Sequence, residues 1–228
     1  MALANAGWPR VVVFDLDGTL VDSAADIAAS LSAGFAPLGV GPFDARTAQG
    51  FIGGGAMVAI ERAARATGTV VDDAAKTAIY NRFMETYAVV SAHGEGLFPG
   101  AHEILTLLKS EKRYLALCTN KAQPIAEIAL KALGIMHYFD TVIGAAEPQQ
   151  RKPHPEPLLR AIAPSGLGVA EAIMIGDSPA DIGAAKAAGC RSIAVSYGYT
   201  PIPPRELGAD AVVDRLMEIP EVLARLAR

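Results

Sequence analysis

Cysteine and histidine are scarce in this sequence, and the scarcity narrows what the protein can be. There are two cysteines in 228 residues, Cys118 and Cys190. Each sits in or beside an apolar, strand-like run, so a disulfide framework is not expected and a reducing compartment is. Both read as small core residues. The four histidines, His93, His102, His137 and His154, fall at no metal-ligand spacing. None is assigned a catalytic role, and His154 reads as shaping the loop around Lys152. No run of about 18 uncharged apolar residues occurs, and the opening MALANAGWPR lacks a basic start followed by a long apolar stretch. The expectation is a cytoplasmic protein with no membrane partner. A net charge of -4 offers no basic excess, so no nucleic-acid partner is expected either.

What is present is a chain 51% hydrophobic, enough for one generous globular domain or two small ones. Short β-branched runs follow the opening VVVF: Tyr114 to Cys118, Thr141 to Ile143, Ala172 to Ile175, Ser192 to Val195 and Ala211 to Val213. Helix-length, alanine-rich segments separate them, including 100–110, 123–133, 156–162 and 179–188. Strands alternating with helices predict an α/β fold with a Rossmann-like parallel sheet, whose ligands bind at the carboxyl ends of the strands. Residues 23–95 break the rhythm. They carry only helical pattern, clearest at 24–35, 57–66 and 73–90, and predict an inserted all-helical cap domain between two pieces of the core, 1–22 and 96–228. HGEGLFPG, His93 to Gly100, has the glycines and proline of a return hinge.

The chemistry-bearing residues come just after the strands. The stretch VVVFDLDGTLVDS sets Asp15 and Asp17 in alternation with Phe14 and Leu16, so an extended backbone points both acids to one side. Paired carboxylates need a cation, a shared proton or a basic side chain beside them. Thr119 and Asn120 follow the second strand and offer donors suited to phosphate oxygens. Lys152 lies in the proline-stiffened run Arg151 to Pro155. Gly176-Asp177-Ser178 follows the strand at 172–175, with Asp181 four residues after Asp177. Each has an ordinary reading: Asp17-Gly18 as a turn, Thr119 or Ser178 as a helix cap, Lys152 as a solvated charge, Asp181 as a first-turn acid. Falling in order, each after a strand, they jointly supply acids for a hard cation and a lysine and hydroxyls for an anion.

FDLDGTLVDS, the Thr119-Asn120 pair, Lys152-Pro153 and GDSPAD resemble the four ordered motifs of the haloacid dehalogenase superfamily. The similarity is to its phosphatase branch, which carries a helical cap between the first and second motifs. It spans nearly the whole chain. It implies a phosphoric monoester hydrolase in which Asp15 is the nucleophile, Asp17 the general acid and base, and Lys152 the neutraliser of phosphoryl charge. Mg²⁺ would be held by Asp15, Asp177 and the backbone carbonyl of Asp17, with Gly18, Ser178 and Asp181 in support. Thr119 would bind the phosphoryl group, Asn120 would do so or only shape the loop, and Asp181 would orient the metal shell or Lys152.

The cap would select a small phosphate ester. Gly53, Gly54 and Gly55, ahead of an amphipathic helix, offer either an anion-binding loop or a flexible connection between cap helices. TNK, KPHPEPLL, GDSPADIGAAKAAG and SYGYT are closer to bacterial phosphoglycolate phosphatases than to other capped members. Broad sugar-phosphate or pyrophosphate hydrolysis is the alternative. A β-phosphoglucomutase has a histidine twelve residues beyond the nucleophile, where this chain has Ile27. A dehalogenase lacks the acid at Asp17, and a phosphonoacetaldehyde hydrolase needs a cap lysine, for which Lys76 is the one candidate. A phosphoaspartate signalling receiver would be about half this length and need no insert, and a catalytically idle binding protein would not need every motif residue. Monomer and homodimer are both compatible with the sequence.

Overall fold

The computed structural model describes residues 7–93, 96–145 and 150–227. Among these residues six parallel strands form one sheet: β1 (Val11–Phe14), β2 (Tyr114–Ala122), β3 (Thr141–Ala145), β4 (Ala172–Gly176), β5 (Arg191–Val195) and β6 (Ala211–Val213), in the order β3-β2-β1-β4-β5-β6. The order reverses beside β1, which pairs with β2 on one side and β4 on the other. Open parallel sheets bind their ligands at such a reversal. Phe14 is in register with Leu117 and with Ile175, so the residues leaving β1, β2 and β4 emerge at one level of the rim.

The helices are α1 (Ala24–Phe35), α2 (Ala45–Gln49), α3 (Ala56–Ala66), α4 (Asp73–Val90), α5 (Ala101–Ser110), α6 (Gln123–Ala132), α7 (Glu156–Ile162), α8 (Pro179–Ala188) and α9 (Ile219–Leu226). Alternation along β1 explains the layering: Val12 and Phe14 enter an apolar cluster with Leu105, Leu130 and Leu223, while Val11 and Val13 enter another with Leu158, Ala161 and Met174. Residues of α1, α3 and α4 gather a third cluster, with Leu31, Phe35, Ile60, Ile79 and Phe83 at its centre. The two connections to this helical segment run side by side, with an antiparallel bridge between Val21 and Leu97 and a 2.6 Å bond from Asp22 N–H to the Gly96 carbonyl. Gly96 has φ +101°, and a Cβ there would lie 2.6 Å from the Asp22 oxygen, so the close approach needs glycine. Gly94 and Glu95 of the expected hinge lie outside the described residues.

The structure differs from the sequence expectation in three places. β2 does not end at Cys118. It continues to Ala122 through a register shift against β3, with pairing resumed at Ala122 and Ala145, so Thr119 and Asn120 lie within the strand's irregular end. The short α2 was not anticipated, although Asp44 caps it by accepting from Thr47 N–H at 2.7 Å. Nor was α9, whose Ile219, Val222 and Leu223 pack on the sheet. Among the described residues no helix is long and apolar enough to cross a membrane.

Candidate active site

Asp15 is the first residue beyond β1, and its N–H still bonds to the Ile175 carbonyl of β4 at 2.9 Å. That bond fixes the backbone and turns the carboxylate into the rim, where it is buried. Lys152 Nζ stands 2.9 Å from Asp15 Oδ1 and 2.5 Å from Asp181 Oδ1, and donates to the Cys118 carbonyl at 2.5 Å. Asp181 lies in the first turn of α8. Its Oδ2 accepts the N–H and the hydroxyl of Ser178, at 3.0 and 2.6 Å. Both of its oxygens are therefore engaged. Asp177 follows β4, and its Oδ2 accepts the Tyr199 N–H at 2.7 Å. A Cβ on Gly198 would come within 2.1 Å of Asp177, so the loop after β5 closes on this carboxylate only because residue 198 has no side chain.

Ligand atoms of Asp15, Asp177 and Asp181 all lie within 4.8 Å of one another, and all three residues are buried. Burial, and then the neighbouring Asp181 carboxylate, push the Asp15 carboxyl up to about 7, against the downward pull of Lys152. Burial pushes Asp177 well above the usual carboxylate range, and Asp181 and Asp15 add to it. Burial alone would lower Lys152, but the Asp15 and Asp181 carboxylates override it and hold the ammonium above its ordinary value. One lysine thus faces three acids, and the cluster is short of positive charge. Among the described residues Asp15 Oδ1, though ion-paired, finds no well-directed hydrogen bond. Clustered hard oxygen donors short of positive charge fit a divalent cation. Asp15 and Asp177 are the carboxylates best placed to hold it, since Asp181 is already engaged by Lys152 and Ser178.

The Asp17 carboxylate goes elsewhere. Its Oδ1 is 2.7 Å from Lys121 Nζ, which also donates to the Tyr87 hydroxyl of α4 and sits 4.2 Å from the centre of that ring. Thr119 is buried, and its Oγ1 accepts the Lys121 N–H at 3.2 Å, which leaves the hydroxyl proton free to donate. Asn120 is used differently. Its amide donates to the carbonyls of Gly53 and Lys152 at 2.9 and 3.0 Å, and its oxygen accepts Lys152 N–H at 2.9 Å. Both donors are occupied by backbone, which makes Asn120 a strut between the Lys152 loop and the helical segment. Arg151 Nη1 adds a bond to the Gly54 carbonyl at 3.1 Å. Gly55 is the N-cap of α3 at φ +83°, and a Cβ there would meet the Asn120 backbone carbonyl oxygen at 2.9 Å. The three glycines therefore dock the helical segment onto the rim. Gly53 and Gly55 also line the pocket described next.

Asp15, Asp17, Thr119 and Lys121 share one pocket, walled by Ile27, Ile52, Phe83 and Met84 from the helical segment. Asp177, Ser178 and Lys152 face a wider cleft beside it, together with Tyr199 and Arg62. A carboxylate backed by a buried lysine, next to a second carboxylate and a hydroxyl, has the groups needed to accept and release a phosphoryl group. Sequence reasoning gave Lys121 no role beyond its place in TNK, and it missed Tyr87. The signal for Lys121 was its place directly after Thr119-Asn120, one residue beyond a recognised pair, whereas Tyr87 lies in a helix whose pattern marks only a core face. Lys76, the cap lysine weighed for Schiff-base chemistry, stands 3.8 Å from Glu61 on the surface.

Residues 12–195 match the family model described as haloacid dehalogenase-like hydrolase. The chain is 38% identical over 215 residues to a phosphoglycolate phosphatase of Cereibacter sphaeroides, a match covering 94% of this chain and 98% of that one. Its fold is similar to the crystal structure of a predicted phosphoglycolate phosphatase from Haemophilus somnus, with TM-score 0.86, 29% identity and coverage of 93% and 97%. It is also similar to CbbY from Rhodobacter sphaeroides in complex with phosphate, with TM-score 0.78, 26% identity and coverage of 92% and 96%.

Proposed function

This chain belongs to the haloacid dehalogenase-like hydrolases, and we propose that it is a Mg²⁺-dependent phosphoric monoester hydrolase acting on 2-phosphoglycolate. The observation that carries the reading is Asp15, buried against Lys152 and sharing one pocket with Asp17 and Thr119. A carboxylate oxygen of Asp15 attacks phosphorus, and the ester oxygen leaves with a proton from Asp17, giving an aspartyl-phosphate and a free alcohol. Water then gives a proton to Asp17 and attacks the same phosphorus, which restores Asp15 and releases phosphate. Lys152 and the Thr119 hydroxyl bind the phosphoryl oxygens through both steps. Asp15 and Asp177 would hold the cation, which would supply charge compensation for the transferring group. Residues 23–95 serve as the cap, docked through Gly53 and Gly54 onto Asn120 and Arg151.

The relatives named phosphoglycolate phosphatase support the substrate. Initial rates across a panel of phosphomonoesters test it. The expected result is a kcat/KM for 2-phosphoglycolate at least about tenfold above sugar phosphates, a discrimination of about 1.4 kcal/mol, with activity lost on chelation. Similar rates across the panel would remove the substrate and keep the chemistry, and no release from any ester would overturn both.

The metal can be tested without turnover. Protons and a divalent cation compete for the same carboxylates, and Asp15 holds its proton up to about 7. Mg²⁺ is expected to raise Tm in calorimetry, and to raise it more at about pH 8 than at about pH 5. A shift that is equal at the two pH values would place the ion away from Asp15.

A further inference from the structure

Lys121 is the feature of the pocket that the phosphoryl chemistry leaves without a role. Its side chain is 2% exposed, yet it is directed into the pocket between the sheet rim and α4. Taking an ammonium out of water costs several kcal/mol, and a buried ion pair returns little of that as stability. Its partners are Asp17, which the reaction needs for proton transfer, and Tyr87, whose hydroxyl and ring face both touch it. A buried cation that occupies the acid-base residue of an active site is poorly explained as a structural device.

The surroundings say what it is for. Among the described residues lining this pocket Lys121 is the one cation, and Ile27, Ile52, Ala56, Ala59, Phe83 and Met84 offer hydrocarbon. With a phosphoryl group at Asp15 and Thr119 and Asp17 at the ester oxygen, the remainder of a substrate meets the Lys121 ammonium, the Tyr87 hydroxyl beside it and otherwise mostly apolar walls. A polyhydroxylated remainder would lose water from each hydroxyl and find few partners, at about 1–3 kcal/mol apiece. A short chain ending in an anion would lose little.

We propose that Lys121 is the specificity-determining residue of this site and binds the carboxylate of a short acid phosphate, exchanging its ion pair with Asp17 for the substrate's acid group. This rests on the phosphatase reading above. The exchange leaves Asp17 beside the ester oxygen while Tyr87 keeps its hydroxyl and ring on the ammonium, so the helical segment takes part in recognising the acid. Thr119 and Lys121, two positions apart in one strand end, then serve the two anionic ends of one small molecule.

The test compares 2-phosphoglycolate with ethyl phosphate, which has the same carbon count and no carboxylate, in the Mg²⁺-loaded full chain. Lys121→Met is expected to lower kcat/KM for 2-phosphoglycolate by about 100-fold and for ethyl phosphate by less than about tenfold. Lys121→Arg, which keeps the charge, is expected to retain most of the preference. Glycolate, as product, is expected to inhibit the native protein competitively and to lose that effect in Lys121→Met. An equal fall on both esters would overturn the proposal and make Lys121 a support for Asp17. So would Lys121→Arg losing the preference while remaining folded, a result that stands even if Lys121→Met does not fold. A native protein with no preference between the two esters would instead remove the 2-phosphoglycolate reading itself.

Discussion

Asp15→Asn is expected to reduce phosphate release by about 10⁴-fold or more, roughly 5.5 kcal/mol of lost transition-state stabilisation, while leaving the protein folded. The amide is nearly isosteric with the carboxylate but is a poor nucleophile, so no aspartyl-phosphate forms. Its effect on stability should run the opposite way. In the metal-free protein burial and the Asp181 carboxylate raise the Asp15 carboxyl from 3.8 to about 7. Between those values the folded state keeps a proton that the unfolded chain has released, so the native protein loses stability as pH rises through the window. Asparagine carries no such proton. The variant should therefore match the native protein in Tm near pH 4 and exceed it by about 3 °C or more near pH 8, both measured in chelator. A variant less stable than the native protein at both pH values would mean that Asp15 contributes more through Lys152 than it costs in repulsion. Residual turnover above about 1% of the native rate would move the nucleophile to another residue.

Much of this site was legible because its residues sit at strand ends, where chain order and rim order coincide. Asp15, Thr119, Lys152 and Asp177 arrive from different parts of the sequence, and the parallel pairing of β1 with β2 and β4 is enough to bring three of those strand ends level. The helical segment was legible for the converse reason: residues 24–90 carry no run that could extend the sheet. What the sequence hid was the partner of each charge. Asp15 and Asp17 look like a single pair on one side of an extended backbone, but β1 ends at Phe14 and each acid finds its own lysine, Lys152 for one and Lys121 for the other. The register shift after Cys118, which carries Asn120 to the backbone of Lys152 and Gly53, depends on how β2 meets β3 and leaves no local trace. The glycines before α3 are a similar case. Their absent side chains could mean an anion loop or a close contact, and only the Asn120 and Arg151 bonds to Gly53 and Gly54 show the contact.

Lys152→Met separates the two roles that a buried lysine can hold. In the native protein its ammonium answers Asp15 and Asp181 at once and donates to the Cys118 carbonyl. Methionine fills similar volume, so the change removes charge and hydrogen bonds with little loss of packing. Breaking a buried pair from one side costs about 3–5 kcal/mol, because the carboxylates stay buried without a counter-charge. In a chain of 228 residues that corresponds to a fall in Tm of roughly 6–20 °C. Activity should fall by about 10³-fold or more, since the transferring oxygens lose their fixed cation. The double variant Lys152→Met with Asp181→Asn tells which loss is which. Neutralising Asp181 removes one unanswered charge and should return part of the Tm, but it restores no cation to the phosphoryl group and should return no activity. If activity came back with stability, Lys152 would act by holding Asp15 in place, and the charge on the transferring group would have to be met by other residues.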